Sequence, residues 1–418
     1  MCRGRLNGNL IIEPLALRAI QAPERPGFGA RGHTTLLLFM GLHQDIIMTT
    51  DQTFDQVLPG DPAPKFDPRT GERESFAWDT LAGRYIVLCF FGSASDDVGQ
   101  NVVRAVAANR TLFDDRAFTF LGVSINPDDE SRKVVGDVLP GIRFAWDFDR
   151  VASTLYGAMP RHASGESLTY RRFWLVVDPT LHVLARFDFA ADPSHEAVFR
   201  YLRDLPDPQR FAGFEIPAPI IVVPNVFEPG LCEHLIKLYD AGGGVESGVM
   251  RDNVGVLDGN MKRRSDFMVE EPTLKNEIDR RIWRRVTPEI RNLFGMEITH
   301  MERYLVGCYA SEQGGHFAPH RDNHQTITAH RRFAVSINLN GDFEGGDVSF
   351  PEYNTRGYKA KPGWAVVFPG AALHAVGRVT RGRRYAFLPF VYDQEGARIR
   401  DENLTLLRVR SQASLATA

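Results

Sequence analysis

The chain has 418 residues, a formal net charge of -3 and an isoelectric point near 6.5. It is too long for one typical core and fits two domains plus tails, and so small a net charge gives no long-range field for nucleic acid or an anionic membrane. Four cysteines, Cys2, Cys89, Cys232 and Cys308, are scattered without paired spacing, which fits a reducing, cytoplasmic setting and no disulfide framework.

Residues 1–50 are rich in arginine and lack a helical or strand period. Their apolar run, "TTLLLFMGL", is far short of the roughly 20 residues of a membrane helix. It also lies too far in, without a small-residue cleavage site, for a signal peptide. The segment reads as a disordered extension or, with Met48 as the real start, a mis-assigned one.

A first domain covers 57–205. "RYIVLCFFGS" (84–93) reads as a buried strand, "VGQNVVRAVAANRTLF" has helical spacing, and "FTFLGVSIN" is a second strand. "RRFWLVVDPTLHVLARFDF" (171–189) places two apolar runs around Asp178-Pro179-Thr180, a hairpin signature. This is the thioredoxin-like order of elements. "LPGDPAPKFDPRTGE", "FFGSASDDVGQ", "WDFDRVASTLYG" and "RRFWLVVDP" together resemble the peroxiredoxin branch of that fold. The resemblance implies a thiolate at the start of the helix after the first strand, where a helix N-terminus and an arginine lower its pKa. Here Gly92 stands for the motif proline, Asp96 for the threonine and Gly99 for the peroxidatic cysteine, while Arg172 matches the family arginine. Cys89 lies inside the strand and reads as a small core hydrophobe. The expectation is a peroxidase fold without peroxidase chemistry, left to bind a protein partner, to present substrate or simply to pack on the barrel.

"DLPDPQRFAGFEIPAP" carries four prolines, and residues 206–219 are read as a linker. The second domain covers 220–395, with a tail at 396–418. "VVPNVFEPGLCEHLIKLYD" gives a strand, a turn and a helix with Cys232, Leu235, Ile236 and Tyr239 on one face. "TLKNEIDRRIWRRV" is a second helix, its arginines a solvated face, and Pro288 is placed to start a third. From residue 297 the short runs "ITHMERYLVGCY", "RRFAVSINLN", "GDVSFPEY", "GWAVVFPG" and "RRYAFLPFVYD" predict a compact barrel or jelly roll.

The stretch "GGHFAPHRDNH" (314–324) holds the chemistry. His320 and Asp322 are two apart, so on a strand both side chains leave the same face. "PGAALHAVGRVTRGRRYAF" adds His374 at the end of an apolar strand and Arg384 on the next one, with Gly377 and Gly382 allowing the chain to fold back. Two imidazoles and one carboxylate on one face of an octahedron leave three open positions, the arrangement of non-haem Fe(II) oxygenases. A 2-oxo acid could chelate two of them and leave one for O2. The far carboxylate of that cosubstrate needs a cation that burial cannot neutralise, which points to Arg384. His316, His324 and His330 read as surface or supporting residues, and Gly345-Gly346 as a turn. Arg383 faces away from Arg384, and Arg321 faces away from its neighbours toward solvent or an adjacent strand.

"CYASEQGGHFAPHRDN", "INLNGDFEGGDVSFPEYN", "KPGWAVVFPGAALHAVGRVTRGRRYAF" and "NVFEPGLCEHLI" resemble the prolyl 4-hydroxylase branch of the Fe(II)/2-oxoglutarate dioxygenases. The resemblance implies a double-stranded β-helix, iron held by His320, Asp322 and His374, and the 2-oxoglutarate C5 carboxylate held by Arg384. Tyr309 would also bond the cosubstrate, with Tyr304 a second candidate, and L-ascorbate would keep the iron reduced. Collagen-type members have lysine where Arg384 stands. The implied reaction decarboxylates 2-oxoglutarate to succinate and CO2 and hydroxylates an unactivated C–H bond of a protein, amino-acid or small-molecule substrate. The alternatives are a thiol peroxidase and a non-catalytic binding protein built from two retired enzymes.

Overall fold

In the computed structural model the described residues are 53–71, 75–161, 169–251 and 254–416, so the reading of residues 1–50 lies outside them. The first half contains β1 (Arg69–Thr70), β2 (Tyr85–Gly92), α1 (Asp97–Ala108), β3 (Phe118–Ser124), α2 (Pro127–Ser131) and β4 (Ile142–Trp146). It continues with α3 (Val151–Leu155), β5 (Phe173–Val177), β6 (Val183–Asp188) and α4 (Glu196–Asp204). The strands form one sheet in the order β1-β4-β3-β2-β5-β6. β2, β3 and β4 run parallel and β5–β6 is the antiparallel hairpin. Every residue of β2 and β3 is buried, because helices or loops cover both faces, and this is why these strands read as unbroken apolar runs. The architecture is the thioredoxin-like fold expected from the sequence.

Cys89 is fully buried in β2, and burial pushes its thiol well above the ordinary range. At the start of α1 the side chain of Asp96 accepts the Gly99 backbone N–H at 2.8 Å. Its other oxygen pairs with Arg172 Nη2 at 2.5 Å, so the arginine is neutralised by the helix cap. A Cβ on Gly99 would lie 1.8 Å from the Ser93 carbonyl oxygen. No side chain, thiol or otherwise, fits there without moving the backbone. Gly99→Ala and Gly99→Cys should each cost on the order of 1–3 kcal/mol, read as a lower thermal midpoint; an unchanged midpoint would show that the turn yields.

The second half begins with β7 (Ile221–Val223), α5 (Pro229–Gly242), β8 (Val245–Glu246), β9 (Val249–Arg251), β10 (Val254–Val256), β11 (Lys262–Arg263) and β12 (Ser265–Met268). Helices α6 (Pro272–Arg285) and α7 (Thr287–Phe294) follow, then β13 (His300–Glu302), β14 (Leu305–Ala310), β15 (His316–His320), β16 (Phe333–Asn338), β17 (Glu344–Gly345) and β18 (Val348–Ser349). The last elements are β19 (Gly357–Tyr358), β20 (Ala365–Pro369), β21 (His374–Val376), β22 (Val379–Arg381), β23 (Arg383–Phe387), β24 (Phe390–Tyr392) and α8 (Gln394–Ala416). A nine-stranded sheet built around β13-β24-β16-β23-β14-β12-β8 and a five-stranded sheet β11-β15-β21-β18-β19 make the jelly roll. Leu235, Ile278, Ile282 and Ile290 of α5, α6 and α7 share one buried apolar cluster with Val306, Val335 and Phe387 of the larger sheet.

The tail expected at 396–418 is helical over its described part: α8 runs from 394 to 416 and Asn403 Nδ2 donates to the Thr326 carbonyl at 2.7 Å. Three local expectations are corrected. Asp322 is not on a strand, because β15 ends at His320. His374 does not end the apolar strand β20 but opens β21 after a turn, and β22 intervenes before Arg384. Arg321 meets neither solvent nor an adjacent strand; it reaches Asp79 of the first half.

Candidate metal and cosubstrate site

β15 and β21 pair antiparallel with His320 opposite His374, and the register shifts between Phe317 and His320. Pro319, which cannot donate to the ladder, sits in that irregularity and turns the end of the strand. Asp322 is then fixed by its own backbone N–H, which donates to the Gly370 carbonyl at 2.8 Å. His320 Nε2 lies 3.7 Å from Asp322 Oδ1, and His374 Nε2 lies 3.4 Å from Asp322 Oδ2. One ligand atom from each of the three residues lies within 4.8 Å of the others.

The donor set fits a divalent metal. Nδ1 of His320 faces the Ala318 carbonyl at 2.8 Å and Nδ1 of His374 faces the Ala372 carbonyl at 3.0 Å. A carbonyl only accepts, so Nδ1 carries the proton in each ring and Nε2 presents its lone pair to the shared centre. Burial, with His374 close by, holds the His320 pKa well below its ordinary value, which keeps the ring in the neutral form that binds metal. Two nitrogens and one oxygen converging from one side match a facial triad with open positions.

The second component lies between the sheets. Arg384 is 2% exposed; its Nε donates to Asn338 Oδ1 at 2.9 Å and its Nη2 to Ser336 Oγ at 2.8 Å. Nη1 is buried and has no hydrogen-bond partner. That donor faces a small cavity bordered by Tyr309, Ser336, His320, Asp322 and His374. Tyr309 is buried, and its hydroxyl accepts from Arg264 Nη1 at 3.3 Å. Tyr304 points elsewhere, donating to Asp279 of α6 at 2.6 Å. His316 is held by the Gly314 and Asn260 carbonyls, His324 lies 3.1 Å from Asp67, and His330 lies 3.1 Å from Glu302. None of the three joins the cluster. Arg383 is exposed, opposite in sense to Arg384.

Arg264 and Lys262 escaped the motif-based reading. Arg264 is 6% exposed and forked onto Asp266 at 2.5 and 2.8 Å. Lys262 is equally buried, and its Nζ is held by Ser247 Oγ at 2.5 Å and the Gly248 carbonyl at 3.0 Å. The signal was the period of two in "KRRSD" (262–266), which puts Lys262, Arg264 and Asp266 on one face. Burial, then the charge of Arg264, pushes the Lys262 pKa down to about 6. A larger cavity, about 560 Å³, opens beside His320 and Asp322 and carries Lys262, Met250 and Arg303 on one side and Phe76, Asp79 and Thr80 of the first half on the other.

Lys262 also ties stability to pH. With a folded pKa of about 6 against an ordinary 10.5, its burial carries a penalty that is absent above 10.5, grows as the pH drops, and is complete below about 6. Lys262→Met should therefore raise the thermal midpoint at pH 7 and flatten its rise between pH 6 and 10. A parallel pH profile for both proteins would contradict this assignment.

The comparisons agree with the two halves. Residues 303–392 match the 2OG-Fe(II) oxygenase superfamily, and residues 59–211 match the AhpC/TSA family. Two PKHD-type hydroxylases from Synechococcus sp. strains JA-2-3B'a(2-13) and JA-3-3Ab are each 30% identical over 94 residues, 21% of this chain and 41% of theirs. The chain thus spans about two fifths of the length of the curated relatives it matches. Among solved structures, a Trichoplax adhaerens prolyl hydroxylase is similar at 17% identity, covering 43% of this chain and 85% of its own, with a TM-score of 0.35. Peroxidoxin BcpB from Mycobacterium tuberculosis is similar at 16% identity, covering 36% and 99%, with a TM-score of 0.29. The 2OG-Fe(II) oxygenase match thus follows the AhpC/TSA match along the chain. Among the described residues no helix is long and apolar enough to cross a membrane.

Proposed function

We propose that the protein is an Fe(II)- and 2-oxoglutarate-dependent dioxygenase that hydroxylates an unactivated C–H bond, in the manner of the prolyl 4-hydroxylase branch. The observation that carries this reading is the pairing of a His320, Asp322 and His374 cluster with the unpartnered buried Nη1 of Arg384 across one cavity. A guanidinium cannot shed its charge on burial, so this donor calls for an anion. The C5 carboxylate of 2-oxoglutarate supplies one at the required depth.

In this reading His320, Asp322 and His374 hold the metal, with their Nδ1–H groups anchored to backbone carbonyls so that the rings cannot turn. Arg384 and Tyr309 hold the cosubstrate carboxylate, while Ser336 and Asn338 fix the guanidinium plane. When bound, Fe(II), 2-oxoglutarate and O2 supply the oxidising chemistry, with succinate and CO2 as co-products. Phe317, Phe368 and Val376 border the site and keep water from it. L-ascorbate as reductant, the hydroxylated substrate and a cytoplasmic setting extend the same reading. The AhpC/TSA half has Gly99 where that family's reaction needs a thiolate, so we assign it no peroxidase role.

Anaerobic titration with Fe(II) and then 2-oxoglutarate tests the reading through the visible charge-transfer band of the chelate. Asp322→Ala should abolish the band. Arg384→Ala should raise the 2-oxoglutarate needed by about 10- to 100-fold, the worth of a hydrogen bond to a charged group. A wild-type protein that retains no metal and shows no band would make the barrel a binding module.

A further inference from the structure

We propose that the redoxin-like half is a positioning scaffold for the metal ligands, gripping both ligand-bearing segments through Asp79 and through the apolar core that takes Leu373. The inference rests on the reading of His320, Asp322 and His374 as metal ligands.

The ligands come from two segments, the end of β15 with the turn after it and the start of β21, and the residue next to the ligands in each is held by the other half. Arg321 stands between His320 and Asp322 with a side chain only 6% exposed. Its Nε donates to Asp79 Oδ2 at 2.9 Å, and its Nη1 and Nη2 donate to Glu352 at 3.0 and 2.6 Å. Nη1 also reaches the Ala371 carbonyl. Glu352 Oε2 in turn accepts the backbone N–H of Leu373 at 2.8 Å. One continuous path of charged hydrogen bonds therefore runs from Asp79 through Arg321 and Glu352 to the residue preceding His374. A buried guanidinium held by two carboxylates has little freedom, and removing one leaves an undercompensated charge.

Leu373 supplies the second grip. It is fully buried, and it belongs to the apolar core of the redoxin-like half with Phe66, Phe76, Trp78 and Leu81, not to the cores of the barrel. The backbones of the two halves also meet closely: a Cβ on Gly83, which has φ +90°, would lie 2.2 Å from the Pro351 carbonyl oxygen. Such packing transmits position because dense cores deform little. A half with Gly99 in place of the thiol thus keeps its fold as the support against which the metal ligands are set.

The test uses the full chain with Co(II) as a spectroscopic stand-in for Fe(II), titrated without O2. Asp79→Asn should weaken Co(II) binding by about 10- to 100-fold, the range for residues that orient metal ligands, and change the d–d spectrum. Asp67→Asn, which removes the His324 contact between the same halves, should leave both unchanged. Leu373→Val, a mild truncation, should weaken binding severalfold with a small change in thermal midpoint, and it decides the matter if Asp79→Asn does not fold. Wild-type Co(II) affinity and spectrum in the folded variants would overturn the inference and leave the proposed function standing. Failure of the wild-type protein to bind Co(II) would remove both.

Discussion

Desolvation of basic side chains inside the barrel is the constraint that organises this protein. Lys262, Arg264, Arg303 and Arg384 border the two cavities, Asp79 and Asp322 are the carboxylates that line them, and Asp266 pairs with Arg264 and Arg303. Desolvating cations is expensive, and each side chain meets that cost differently. Arg264 keeps its charge because Tyr309 and Asp266 outweigh the burial that opposes it. Burial pushes Arg303 down to about 10 and Lys262 down to about 6, and it lowers Arg384 as well. Such an interior favours anionic ligands, and a dianionic cosubstrate suits it.

The His320, Asp322 and His374 cluster sits at the border of that interior, where the smaller sheet loses its regularity. His320 closes β15, Asp322 lies in the following turn, and His374 opens β21. Loop ligands are less well fixed than strand ligands unless something restrains the loops. Here the Gly370 carbonyl, Glu352 and the Asp79–Arg321 pair supply that restraint, so a site formally belonging to one half depends on side chains of both.

The redoxin-like half keeps the fold while its thiol-activating features are engaged otherwise. Asp96 caps α1 and neutralises Arg172, the two devices that would otherwise lower a thiol pKa, and the Gly99 position has no room for a side chain. The sheet, hairpin and aromatic core remain intact because they serve packing rather than reaction.

Much of this was legible in the amino-acid order, because local patterning controls what it revealed. Buried parallel strands read as apolar runs, proline and glycine marked the turns, and His320, Asp322, His374 and Arg384 fell within recognisable spaced motifs. Lys262 and Arg264 were hidden because their meaning depends on strands that are far from the motifs in sequence and adjacent only through sheet pairing. Arg321 and Leu373 could not be read at all. Asp79 lies 242 residues from Arg321, and Leu373 enters a core built by the other half, so only packing of the two halves decides that such side chains are buried rather than exposed. The sequence by itself determined the two fold types and most of their elements, and it marked the candidate ligands; the tertiary structure decided which charges are compensated, because compensation depends on distances that no local pattern encodes.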